Sequence, residues 1–154
     1  MGSRRQAREH ALQALYQCEA LGELTQECVD WYFQAFHADE DGSVDFGKHE
    51  FARILALGVL ENLDTIDKTI SAASQNWSVS RMSQVDRNIL RLGAFEISFL
   101  EDIPPNVSIN EAIEIAKRFA SDDSPMFING VLDKVATDAR RRNVDVAWNK
   151  AINE

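Results

Sequence analysis

Apolar residues recur at helical spacing along most of the chain. Between residues 4 and 21, Ala7, Ala11, Leu12, Leu15 and Cys18 follow steps of three and four in a segment rich in Ala, Gln, Arg and Glu. That pattern predicts a first amphipathic helix. After Gly22, the segment from Leu24 to Phe36 places Cys28, Trp31, Tyr32, Ala35 and Phe36 on one stripe of period near 3.6, which predicts a second. Acidic residues and glycines crowd Asp39 to Gly47, so a solvated loop is expected there. From Lys48 to about Ser74 the helical period returns through Phe51, Ile54, Leu55, Gly58, Leu63, Ile66 and Ile70, with an interruption near Asn62.

The second half is punctuated by caps. Ser83 with Asp86 resembles a capping box and opens a helix from Val85 to Leu100, with Val85, Ile89, Leu92 and Phe99 on one face and Arg81, Arg87 and Arg91 on another. Ile103-Pro104-Pro105 ends it, because successive prolines remove donors and hold the backbone extended. Ser108 and Glu111 have capping-box spacing and are expected to start the next helix. Ser124, as N-cap, with Pro125 at the first helical position, predicts a last helix running to about Arg142. Strand and hairpin signals are nearly absent, and no repeat period is evident. The expected fold class is all-α, a compact bundle of six or seven helices. Residues 1–142 form the expected single domain and 143–154 a C-terminal extension. The apolar residues of that extension, Val144, Val146, Ala147, Trp148 and Ile152, have no assigned place.

Composition narrows the function. A chain of 154 residues that is 45% hydrophobic, with eight Phe and three Trp, can build one core. No run approaches the ~18 apolar residues of a membrane span, so a cytoplasmic protein without membrane contact is expected. Cys18 and Cys28 fit no zinc or redox spacing and lie among apolar helical positions, which predicts reduced core thiols. A formal charge of −9 excludes a protein that coats nucleic acid by bulk charge. A local basic patch is still workable, since the screening length at physiological salt is about 8 Å.

Residues 39–50 offer oxygen ligands at positions one, three, five and twelve of a calcium loop. Val44, however, stands where that loop needs a glycine of positive φ, so an acidic interhelical loop is the simpler reading. His10, His37 and His49 fall on different predicted elements without ligand spacing and are expected at the surface or at element edges. There is no glycine-rich phosphate loop, nucleophile elbow or zincin helix, so neither an enzyme nor a cofactor is expected. Arg4 and Arg8 are one helical turn apart with Arg5 beside them, and three guanidinium groups there suit phosphate contact or base stacking as well as a plain solvated face. Arg140-Arg141-Arg142 sits at an expected helix end, where positive charge meets the C-terminal dipole.

Four segments together carry a family resemblance. They are Arg4-Arg5-Gln6-Ala7-Arg8-Glu9 with Ala11 through Gln17, Val85 through Glu96, Pro104 through Lys117, and Phe127 through Lys134. In order and spacing they resemble the NusB family of bacterial transcription antitermination factors, over roughly residues 4 to 140. The resemblance implies two packed helical subdomains of three or four helices. It also implies pairing with the ribosomal protein NusE, binding of single-stranded boxA RNA, and entry into an RNA polymerase antitermination complex during ribosomal RNA synthesis. By the same resemblance Arg4, Arg5, Arg8, Arg91, Asp123 and Phe127 are candidate RNA contacts, and Tyr16 and Asp86 candidate partner contacts. Phe127 could stack a base or belong to the core. Asp123 could accept from a base amino group or serve its helix N-terminus. Asn110 and Asn129 could likewise read bases or satisfy backbone. Some members form dimers that hide the RNA surface, so monomer and homodimer both stay open. The alternatives are a protein-docking helical scaffold, a calcium-binding helical protein, and a module of an RNA-modifying enzyme.

Overall fold

The computed structural model describes residues 3–153, the side chains of residues 3, 144–147, 149 and 153 excepted. Among the described residues it contains seven α-helices and no strand. They are α1 (Ser3–Ala20), α2 (Gln26–His37), α3 (Glu50–Glu61), α4 (Leu63–Ala73), α5 (Gln84–Phe99), α6 (Pro105–Phe119) and α7 (Ser124–Asn153), with a short 3-10 turn at Val79–Arg81 before α5. The break expected near Asn62 separates α3 from α4, where Asn62 donates from its backbone and its side chain to the Gly58 carbonyl. Thr25 caps α2 by accepting from the Cys28 amide, and Ser83 caps α5 by accepting from the Asp86 amide.

Helix α5 is the axis of the molecule. It packs against α1, α3, α4, α6 and α7, so every residue from Asn88 to Ile97 is buried. Leu12 and Leu15 of α1, Leu55 and Val59 of α3, Ile70 of α4 and Leu132 of α7 join it in one hydrophobic core. Gly58 lets α3 approach this closely, since a Cβ there would lie 2.1 Å from Cζ of Phe95. Gly58→Ala is therefore expected to lose about 1–3 kcal/mol in urea unfolding, although alanine is the better helix former. Restoring space with Phe95→Leu should return part of it. A gain in stability on Gly58→Ala would show that the two helices are not tightly apposed.

Three local expectations are corrected. Ser108 does not cap a helix. Pro105 at the first position already starts α6, which puts Ser108 one turn inside, buried, with its hydroxyl donating to Glu96. Cys18 and Cys28 are not free thiols but form a disulfide, because the turn around Gly22 folds the end of α1 against the start of α2 and leaves their Cα atoms 5.8 Å apart. The last helix does not stop near Arg142 but continues to Asn153. Trp148 and Ile152 on that continuation are exposed, whereas the side chains of Val144, Val146 and Ala147 lie outside the described residues.

Candidate nucleic-acid interface

The first turns of α1 hold the arginines singled out by the sequence, and the fold divides them. The Arg4 side chain is exposed, its guanidinium 4.5 Å from the centre of the Phe51 ring. Arg5 is half exposed and forks onto Glu111 of α6, Nε to Oε2 at 2.7 Å and Nη2 to Oε1 at 3.1 Å. These hydrogen bonds hold the Glu111 carboxyl below the usual carboxylate range. Arg8, expected to project outward, is only 4% exposed. It shares the buried stripe of Ala11, Leu15 and Cys18, and donates from Nε and Nη2 to Glu96 at 2.9 and 2.7 Å.

Arg91 is corrected in the same way. Because α5 is enclosed on all sides, the Arg91 side chain is 5% exposed and forks onto Asp67 of α4 at 2.9 and 3.0 Å, with Nη1 also donating to Glu19 at 2.7 Å. Burial opposes ionisation of Glu19, but hydrogen bonds from Arg91 and Arg87 outweigh it and hold the carboxyl below its ordinary value. Arg8 and Arg91 thus clamp α1 and α4 to the central helix, and their donors face carboxylates within the protein.

The residues Asp123, Phe127 and Asp86 meet in a groove of about 270 Å³ between the start of α5 and the start of α7. The groove adds two residues to which the sequence reading gave no role. Trp77, 54% exposed, stands on its rim, and Arg81, at the end of the 3-10 turn, is exposed on the same rim. The turn that presents Trp77 is unusual, because Gln75 and Asn76 both adopt left-handed backbone at φ 57° and 65°. Non-glycine residues seldom do this, and the conformation persists only where the surroundings enforce it. Here the Asn76 amide donates to the Ser71 carbonyl and the Ser74 hydroxyl to the Trp77 carbonyl. Within the groove, Oδ1 of Asp86 is buried without a hydrogen-bond partner among the described residues. An indole, a phenyl ring, a guanidinium and the exposed Asp123 carboxylate together offer stacking faces and polar edges to a flat, unpaired base.

Tyr16 lies elsewhere. It lines an apolar groove of about 510 Å³ between α1 and α2 with Leu12, Tyr32, Phe36, Val85 and Phe119. Tyr16 and Asp86 are therefore not in one pocket, but Val85 and Asp86 are neighbours at the start of α5 and place the two grooves side by side. The acidic loop before α3 is exposed, and its carboxylates bond within the loop, Asp41 accepting from the amide and hydroxyl of Ser43, and Asp45 from the Lys48 amide. Among the described residues no group of His, Cys, Asp or Glu is arranged to hold a metal ion.

The family model for NusB matches residues 5–137. The transcription antitermination protein NusB of Myxococcus xanthus is 48% identical over 136 residues, covering 88% of this chain and 96% of that protein. Its counterpart in Geotalea daltonii is 47% identical, covering 89% and 96%. Among solved structures, NusB of T. maritima superposes with a TM-score of 0.74 at 41% identity, covering 87% of this chain and 90% of that one. A structure of the antitermination factors NusB and NusE in complex with dsRNA superposes with a TM-score of 0.74 at 27% identity, covering 90% and 98%. By the extent of the family match and the identity to these relatives, the chain belongs to the NusB family.

Proposed function

We propose that this protein is an RNA-binding transcription antitermination factor that acts by binding alone. Its RNA is single-stranded and boxA-like, and its protein partner is NusE. The observation that carries the reading is the groove in which Trp77 and Arg81 face Asp123 and Phe127. Stacking platforms act on bases that are not already stacked in a duplex, which favours single strands. Arg4 and Arg5 supply phosphate contacts from the end of α1, and Arg8 and Arg91 position that helix and α5 from beneath. The Arg5–Glu111 pair is a surface ion pair, readily exchanged for a phosphate. The apolar groove around Tyr16 is the docking surface for NusE, and its closeness to the base groove lets one partner reinforce the other. Assembly with RNA polymerase during ribosomal RNA synthesis follows from that pairing. No described helix is long and apolar enough to cross a membrane, and a partner set of RNA and ribosomal protein supports a cytoplasmic site of action.

Titrating boxA-like RNA into the protein, with and without NusE, tests this. If Arg4, Arg5 and Arg81 each meet a phosphate, log affinity falls with log salt at a slope near −2, at roughly −0.7 per contact. Reversing Arg4 and Arg5 to Glu should weaken binding and flatten the slope while the melting temperature stays nearly constant. A wild-type slope near zero would remove the phosphate contacts, and no binding even with NusE present would overturn the reading.

A further inference from the structure

The chain has three histidines, and the fold gathers all of them. His10 comes from α1, His37 from the end of α2 and His49 from the residue before α3. Their ring centres are 4.2 Å apart for His10 and His37, 5.2 Å for His37 and His49, and 5.7 Å for His10 and His49. His37 and His49 do lie at element edges, as expected, but the three rings form one cluster that their sequence positions do not suggest. Phe33 packs on His37 and His49, with ring centres 5.6 and 5.2 Å away, and closes the inner side. The outer side opens into a cavity of about 550 Å³ shared with Gln6, Asp39 and Lys48. The three rings do not converge on a metal position, and each imidazole can take up a proton.

The surroundings oppose protonation. Burial is the largest influence on each ring and lowers all three from the ordinary value near 6.5. The Lys48 ammonium acts in the same direction on each. His49 adds to the effect on His10, and His10 and His49 both add to that on His37, which is lowered to about 4. Asp45 and Asp39 favour charge on His49 alone, and the cavity wall contributed by α1 and α3 adds only the uncharged Gln6, Ala7 and Ala52.

His37 also connects the cluster to the apolar groove. Its Nε2 lies 2.9 Å from the Tyr32 hydroxyl, which itself donates to Oε1 of Gln13 at 2.8 Å. Burial pushes the Tyr32 phenol up to about 12, so it keeps its single proton. That proton points at Gln13, hence His37 donates from Nε2 to Tyr32. Gln13, Tyr32 and His37 all line the groove that holds Tyr16.

We propose that His10, His37 and His49 form a proton-operated latch. Neutral, the rings close the corner between α1, α2 and residues 38–49; protonated, they repel, and the shift passes through Tyr32 and Gln13 to the wall of the apolar groove. Its regulatory meaning rests on the docking reading above, whereas the latch itself does not. The sign follows from linkage. The unfolded chain takes up protons near 6.5 and the fold only at lower pH, so stability is full above about 6.5 and declines as pH falls towards the folded values, with His37 the last, near 4. In that window each neutral histidine raises the unfolding constant by up to ~10-fold per pH unit. Carboxylates titrate mostly below about 5, which leaves the upper part of the window to the histidines.

An NMR titration of the full chain from pH 7.5 to 3 passes the His37 midpoint and reads both ends of the device. The three histidines are the whole cluster and the only two tyrosines, Tyr16 and Tyr32, both line the groove, so each set of ring signals has one source. All three histidine midpoints should lie below 6.5, with the tyrosine signals moving over the same range. Midpoints at or above 6.5, or tyrosine signals that stay still while the histidines titrate, overturn the latch. The variant His10→Gln removes one like-charged neighbour and should raise the His37 midpoint; an unchanged His37 midpoint also overturns it. Binding of NusE at pH 7.5 and at the midpoint of the tyrosine shift separates the two ideas. Failure at both pH values rejects the docking reading without touching the NMR result. Equal affinity at both, with the tyrosine signals shifting, rejects the regulatory role.

Discussion

Glu96→Gln is expected to cost about 3–5 kcal/mol, a large share of the roughly 5–15 kcal/mol that holds a domain of this kind together. Glu96 is 2% exposed and accepts two hydrogen bonds from Arg8 and one from the Ser108 hydroxyl. Glutamine keeps the shape but loses the charge, and its amide directs donors at a guanidinium that is itself all donors. Arg8 is then left buried with no counter-charge, which is the costly state of a broken internal pair. The double variant Arg8→Met with Glu96→Leu removes both charges and should recover much of the loss, because paired desolvation disappears along with the attraction. Urea unfolding of the single and double variants is the check. A loss under about 1 kcal/mol for Glu96→Gln would mean that water reaches Arg8 and the pair is not internal.

The same ion pair explains why the arginine-rich start of the chain was only partly legible. Local spacing correctly reports that Arg4 and Arg8 lie one turn apart. It also shows Arg8 in step with Ala11, Leu15 and Cys18, but the charge of arginine argues against a core position, and only the carboxylate of Glu96, 88 residues away, makes that position tolerable. Arg91 and Glu19 follow the same logic at a separation of 72 residues. Helix existence, the break at Asn62 and the cap at Ser83 were readable because they are decided within one or two turns. Ser108 and Glu111 carry a good capping-box spacing, yet the earlier Pro105 starts the helix and both side chains go to tertiary partners, Glu96 and Arg5.

What remained out of reach depends on how helices sit against each other. His10, His37 and His49 meet only because α1, α2 and the loop before α3 share a corner. Cys18 and Cys28 meet because the intervening turn reverses the chain. Trp77 left a signal that could have been used, since a tryptophan in a polar break between two helices has no helical face on which to be buried. The family resemblance supplied Asp123 and Phe127, and the fold supplied the neighbours that turn them into a groove.

Trp77→Ala is expected to weaken single-stranded RNA binding by about 1–3 kcal/mol, roughly 5–150-fold, the usual range for one lost base stack. The exposed indole contributes little to the core, so the melting temperature should barely move. Phe127 is half buried, and Phe127→Leu is the better probe there, since it keeps apolar volume in the core while removing the aromatic face. A similar loss of affinity is expected. Two controls set these effects apart from charge. Neither substitution touches a phosphate contact, so the salt slope near −2 should persist at lower affinity, unlike the flattened slope of the Arg4 and Arg5 reversals. Trp77→Phe should retain most of the binding, because a smaller ring still stacks. Duplex RNA, whose bases already stack on one another, should be bound equally by wild type and Trp77→Ala. Affinity for single strands unchanged within twofold in Trp77→Ala would show that bases do not enter the groove and that the arginines alone hold the strand.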